Sequence, residues 1–226
     1  MIPKVIHYIW IGGEMPALYK KCVESWFNIG SDFKFEFWDE KRISEELVVD
    51  CFYHEMIKQK KYAFAVDYIR CHILHAKGGI YLDVDMEMIK DISPLLDGYS
   101  FVAGFESPGL PSCGIIGATK NSHIIAKLRD GVITNKGLVE IPRILKSVLE
   151  LEGGGTNVDG NYHVRDAIIY SEEYFYPYNP YRKDSLEQLM YMDIKENTYL
   201  IHHWGKSWKF SVLERLIKKI NKLFKK

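Results

Sequence analysis

KYAFAVDYIRCHILHAKGGIYLDVD, residues 61–85, joins a helix to a strand and ends on two carboxylates. From Tyr62 to Lys77 the apolar residues keep helical spacing. Gly78-Gly79 supplies a C-cap, and Ile80-Tyr81-Leu82 reads as a short buried strand that delivers Asp83-Val84-Asp85 at its C-terminal end. Toward the N-terminus, Val5 to Trp10 is a second strand. Gly12-Gly13 turns it, and Pro16 opens a helical stretch through Trp26. Lys34 to Trp38 alternates as a strand and runs into Asp39, a good N-cap for a short charged helix. Downstream, strands are predicted at Met86 to Ile89, Ser100 to Phe105, Gly114 to Thr119 and Thr198 to His203. Helices are predicted near Ser122 to Val132 and Ile141 to Leu151, with loops at Gly153 to Gly155 and Tyr174 to Tyr181. Strands alternating with helices in this way predict an α/β sheet covered on both faces.

The 226 residues are 47% hydrophobic and 27% charged, the balance of a chain that buries a core. Thirty basic and thirty acidic side chains cancel, so there is no global field to gather nucleic acid, and any polyanion site is local. Cys22, Cys51, Cys71 and Cys113 form no CxxC pair, which argues against a zinc knuckle or a disulfide scaffold and fits a reducing cytoplasm. The first residues lack the pattern of a signal peptide, and no run approaches the ~18 apolar residues of a membrane span. From Lys206 the composition turns basic. Val212, Leu213, Leu216, Ile217, Ile220, Leu223 and Phe224 at helical spacing predict an amphipathic helix over 209–226, appended to a domain of residues 1–208. Such a tail either sits on an anionic membrane face or caps a protein surface.

If the strand continues through Asp83-Val84-Asp85, its period of two puts both carboxylates on one side and Val84 toward the core. Two adjacent anions repel. Mn²⁺ or Mg²⁺ relieves that repulsion and keeps positions for substrate phosphates, whereas the bland alternative is a polar turn at a strand end.

The 61–85 stretch resembles the DXD region of sugar-nucleotide transferases with the GT-A fold. More narrowly, it resembles glycosyltransferase family 32 and its relatives, the clostridial toxin glucosyltransferases. Three further pieces fit in order: Ile6-His7-Tyr8-Ile9-Trp10-Ile11-Gly12-Gly13, Gly104-Phe105-Glu106, and Ile201-His202-His203-Trp204-Gly205-Lys206-Ser207-Trp208. The resemblance implies a GT-A-like, Rossmann-like mixed sheet flanked by helices. It also implies a nucleotide-sugar donor and retention of anomeric configuration.

By this resemblance Trp10 stacks on the nucleobase, with the backbone around Ile9 and Gly12 completing the slot; otherwise Trp10 is a core aromatic and Gly12 a plain turn glycine. Asp67 and Arg70, three apart on one helical face, hold the donor sugar and diphosphate, or else form a simple ion pair. Physically, Asp67 suits sugar hydroxyls and Arg70 offers a forked donor to phosphate. Tyr81 falls near the ribose or nucleobase, or packs in the core. Asp83 and Asp85 hold the metal. A C-terminal histidine, expected to be His203, completes the coordination, and because adjacent strand residues face opposite ways His202 is not expected to join it; Lys206, Ser207 and Trp208 touch the diphosphate.

Together these readings give a metal-dependent transferase moving a sugar, from UDP by the toxin-like Trp10 region, to a glycan or lipid-linked acceptor in surface polysaccharide or capsule assembly. Its expected location is the cytoplasm or the inner membrane face. Two rivals remain: a haloacid dehalogenase-type phosphohydrolase with a nucleophilic Asp, and a non-catalytic carbohydrate-binding module.

Overall fold

The computed structural model describes residues 1–153, 155–181 and 188–205. Lys206, Ser207 and Trp208 and the helix predicted over 209–226 lie outside the described residues. In chain order the elements are β1 (Val5–Ile9), α1 (Ala17–Ile29), β2 (Lys34–Trp38), α2 (Glu40–Glu46), α3 (Cys51–Lys58), α4 (Tyr62–Lys77), β3 (Gly79–Leu82), β4 (Met86–Met88), β5 (Phe101–Ser107) and β6 (Leu110–Ala118). Then follow α5 (His123–Thr134), α6 (Ile141–Leu151), β7 (Thr156–Val158), β8 (Asn161–Val164), β9 (Ala167–Tyr170), α7 (Glu172–Phe175) and β10 (Leu200–His202). Eight strands form one sheet in the order β2-β1-β3-β6-β5-β9-β8-β7. It is mixed: β1 runs parallel to β2 and β3, and β5 to β9, while the other pairs are antiparallel. β4 and β10 make a separate antiparallel ribbon, so the Met86 and Thr198 segments predicted as strands pair with each other and not with the main sheet.

The period of two on β3 divides the core. Tyr81 packs into a cluster with Ile9, Trp38 and the apolar faces of α3 to α6. Ile80 and Leu82 pack on the other face with Ile6, Trp26 and Met86. Both sides of the sheet are therefore buried, as its run of fully buried residues requires. α4 is buried along most of its length and stops at Gly78 (φ 69°) and Gly79 (φ 106°). A Cβ at Gly78 would lie 2.7 Å from the Lys120 amide nitrogen, and one at Gly79 would lie 2.6 Å from the Val5 carbonyl oxygen. Glycine is thus required at both positions, by the left-handed φ and by the close approach.

Side-chain caps fix the shorter helices. Asp39 accepts from the Arg42 amide and Asp50 from the Phe52 amide, each at 2.8 Å. α1 is tied to the ribbon below the sheet: the Trp26 indole donates to the Met86 carbonyl at 2.6 Å, and the Met88 amide donates to Ser25 Oγ at 2.9 Å. The chain that carries Asp85 therefore leaves β3 and is gripped at once by a second element. The segment 174–181, expected as loop, begins on the last turn of α7, and β7 to β9 extend the sheet where no strand was expected.

Candidate active site

β3 ends at Leu82, and Asp83 to Asp85 form a turn instead of a strand continuation. The Asp83 amide donates to the Gly114 carbonyl at 2.7 Å and the Met86 amide to the Asp83 carbonyl at 3.0 Å. Val84 is buried in the core beneath, as expected. The turn opens at the carboxyl ends of the parallel strands β1 and β3, where open α/β sheets place their ligands. A cleft of about 560 Å³ lies there. Ile9, Trp10, Gly12, Asp67, Arg70, Tyr81, Asp83 and Asp85, all singled out in the sequence, line it together.

Arg70, projecting from α4, organises one side. Its guanidinium lies 3.0 Å from Asp67 Oδ1 and 3.3 Å from Asp83 Oδ1, donates to the Cys113 carbonyl at 2.6 Å, and stacks 4.3 Å over the Tyr81 ring. Tyr81 donates its hydroxyl proton to Asp83 Oδ1 at 2.6 Å, so this tyrosine steadies a carboxylate. Burial pushes the Asp67 carboxyl up to about 6, with Arg70 opposing and Asp83 adding to the shift. Asp83 is raised by burial, with Arg70 pulling it back and the Asp85 charge pushing it further.

Asp85 belongs to the other side. His202 Nε2 lies 3.2 Å from Asp85 Oδ2, which also accepts from the Gly205 amide at 2.8 Å, and the His203 amide donates to the Asp85 carbonyl at 2.9 Å. Burial would raise Asp85, but His202 and these N–H groups hold it below its ordinary value. Burial would lower the His202 imidazole, yet Asp85 raises it. The expectation of His203 as third ligand does not survive this geometry. β10 pairs with β4 so that His202 lies opposite Met86, which turns His202 toward the carboxylates and His203 outward, 2.8 Å from Glu87 Oε2.

Asp83, Asp85 and His202 each place a donor atom within 4.8 Å of the others. Two carboxylate oxygens and one imidazole nitrogen fit a divalent cation of the Mn²⁺ or Mg²⁺ type. His202 Nδ1, buried with no hydrogen-bond partner, and the raised Asp83 mark a donor set not satisfied by protein alone. On the cleft lining Trp10 donates its indole proton to the Gly13 carbonyl at 2.7 Å and meets Tyr19 edge-on. The Gly12 amide (φ 90°) donates to Glu40 Oε1 at 2.7 Å, and a Cβ at Gly12 would sit 2.6 Å from the Tyr62 ring. Sequence reasoning gave no role to Tyr19, Tyr62, Ser112, Arg143, Tyr181 or Trp204, which also line the cleft. Of these, Tyr62 and Trp204 stood inside quoted motifs and were the ones within reach.

Comparison with solved structures gives the fold as the glycosyltransferase fold of GT-A type. A solved glycosyltransferase involved in the glycosylation of the major capsid of PBCV-1 superposes with a TM-score of 0.51 at 14% identity, covering 98% of this chain and 100% of that one. Residues 16–102 match the family described as the glycosyltransferase sugar-binding region containing the DXD motif. An uncharacterized glycosyltransferase, L373, of Acanthamoeba polyphaga mimivirus is 41% identical over 109 residues, 46% of this chain and 43% of the relative. Inositol phosphoceramide mannosyltransferase 3 of Schizosaccharomyces pombe is 27% identical over 131 residues, 56% of this chain and 36% of the relative. The matched regions thus span less than half the length of these curated relatives. Among the described residues no helix is long and apolar enough to cross a membrane.

Proposed function

We propose that this chain is a metal-dependent glycosyltransferase moving a sugar from a nucleotide-sugar to a hydroxyl of a glycan or lipid-linked saccharide. The observation that carries the reading is the Asp83, Asp85 and His202 cluster on the wall of a cleft that also holds Trp10, Asp67 and Arg70. Asp83, Asp85 and His202 would hold Mn²⁺ or Mg²⁺, which when bound offsets the charge of a nucleoside diphosphate leaving group. Trp10 offers an aromatic edge of the cleft to the nucleobase. Asp67 accepts hydrogen bonds from donor-sugar hydroxyls, and Arg70, already preorganised by Asp67, Asp83 and Cys113, faces the diphosphate as a fixed cation. UDP is the preferred nucleotide on the Trp10 resemblance, retention of configuration is the expected outcome, and surface polysaccharide assembly is the expected setting. The name of the yeast relative, a mannosyltransferase acting on inositol phosphoceramide, keeps a lipid-borne acceptor in view. The hydrolase alternative is not favoured: Asp83 is clasped by Tyr81 and Arg70 instead of standing ready as a nucleophile.

Calorimetric titration of UDP and GDP into the protein, with Mn²⁺ and then with chelator, tests the reading. Metal-dependent binding is expected, abolished by Asp85→Ala, weakened by His202→Ala and spared by His203→Ala. Equal binding in chelator would remove the metal from the proposal, and loss in His203→Ala alone would reverse the assignment of the two histidines.

A further inference from the structure

The wall of the cleft formed by β5 and β6 is built around one carboxylate that the donor-side reading leaves unused. Phe105 pairs with Pro111 and Ser107 with Leu110, so Glu106 is the extra residue of a bulge in β5. Bulges re-aim side chains, and this one puts Glu106 on the cleft lining beside Leu110 and Ser112. The bulge is braced from behind: Asn179 donates its side-chain amide to the Glu106 carbonyl at 3.0 Å. Gly104, two residues earlier, lies so close to Phe175 that a Cβ would come within 2.5 Å of its ring.

Two hydroxyl side chains, Tyr176 and Ser112, stand behind this carboxylate. The Ile115 amide donates to the Tyr176 hydroxyl at 3.2 Å, Tyr176 is hydrogen-bonded to Ser112, and Ser112 to Glu106. Ser112 has a single hydroxyl proton, so it gives at most one donor to a carboxylate with two oxygens and about four acceptor sites. Glu106 forms no ion pair among the described residues; His202 and Arg143 act on it only at longer range. Burial raises its carboxyl, the mark of a group short of donors.

We infer that Glu106 receives a hydroxyl of the acceptor, and that the acceptor is polyhydroxylated with no phosphate or carboxylate at that point. A half-buried carboxylate repels an anion there and rewards a hydroxyl donor with a charge-assisted bond. The inference rests on the proposed transferase activity and deepens it by naming the acceptor chemistry and the wall that reads it.

Without an added acceptor, water takes the acceptor's place. Its oxygen bonds to the anomeric carbon, the bond to the diphosphate oxygen breaks with the electron pair leaving on the diphosphate, and one proton passes to solvent. The experiment measures hydrolysis of UDP-glucose, UDP-galactose and GDP-mannose by the full chain with Mn²⁺, alongside calorimetric Kd for UDP and GDP and thermal unfolding. Glu106→Gln is expected to lower hydrolysis about tenfold or more with nucleotide Kd and unfolding unchanged, and Glu106→Asp to restore part of the rate. Hydrolysis by Glu106→Gln within twofold of wild type, nucleotide binding lost in step with hydrolysis, or a wild-type protein that binds nucleotide yet hydrolyses none of the three overturns the inference. Absence of nucleotide binding by the wild type overturns the transferase reading itself, and this inference with it.

Discussion

His7 on β1 should make the fold acid-sensitive in a range where its surface groups do not. The imidazole is 2% exposed and bonded at both nitrogens: Nε2 lies 3.0 Å from the Gly78 carbonyl, and the Trp38 indole donates to Nδ1 at 3.3 Å. Only one tautomer satisfies both partners, with the proton on Nε2. Protonating Nδ1 sets an N–H against the Trp38 N–H. Burial accordingly drives the pKa from 6.5 down to about 4, outweighing the help of Gly78 and Glu36. Between those values the unfolded chain binds the proton and the folded chain does not, so stability rises with pH across the window and is complete above 6.5. The difference of about 2.5 pH units corresponds to about 3 kcal/mol in total, of which about 2 kcal/mol is already lost at pH 5. That is a large share of the ~5–15 kcal/mol that holds a domain together. Urea unfolding at pH 7 and pH 5 reads it, with His7→Gln as reference because an amide donates to Gly78 and accepts from Trp38 without titrating. Wild type should lose about 2 kcal/mol more than His7→Gln on acidification. Equal losses, or an imidazole carrying its proton on Nδ1 by NMR, would refute the reasoning.

Two site substitutions separate binding from folding. Trp10→Ala should weaken UDP binding by about 1–3 kcal/mol while its Mn²⁺ dependence persists, because the indole is not one of the groups that would hold the cation; unchanged calorimetric affinity would move the nucleobase elsewhere. Arg70→Met strips the cation from buried Asp67 and from Asp83, and should cost about 3–5 kcal/mol in urea unfolding. Arg70→Lys should recover much of that stability but not UDP affinity, since one ammonium cannot span Asp67, Asp83 and the Cys113 carbonyl; wild-type affinity in this variant would rule out the forked contact.

What the sequence disclosed follows from the range of the forces involved. The passage from α4 through Gly78-Gly79 into β3 was legible because helical spacing, a glycine cap and a fully apolar strand are all local signals. The strands at 156–170 were missed although one local signal was present: Asp159 (φ 50°) and Gly160 (φ 81°) form the two-residue turn between β7 and β8, an Asp-Gly pair of the type that favours tight hairpins. β7 is exposed throughout, so no alternation of apolar residues called attention to it. The choice between His202 and His203 was illegible for another reason. A strand's period says that one of the two faces the carboxylates, but which one depends on the register of β10 against β4, more than a hundred residues earlier.

The turn at Asp83 to Asp85 also explains why two carboxylates so close in sequence are not interchangeable. A continuing strand would have given them one environment. Because β3 stops at Leu82, Asp83 stays beneath Arg70 and Tyr81 on the α4 side, while Asp85 swings to the ribbon and takes His202 and the Gly205 amide. Each is held chiefly by its own partners: burial raises Asp83 even with Arg70 beside it, whereas His202 and the Gly205 amide outweigh the burial that would raise Asp85. The pair is thereby fixed by two separate elements of the fold, α4 and β10. A shift of either element moves one carboxylate relative to the other, so the spacing of the donor set depends on packing across the whole cleft and not on the three residues of the motif alone.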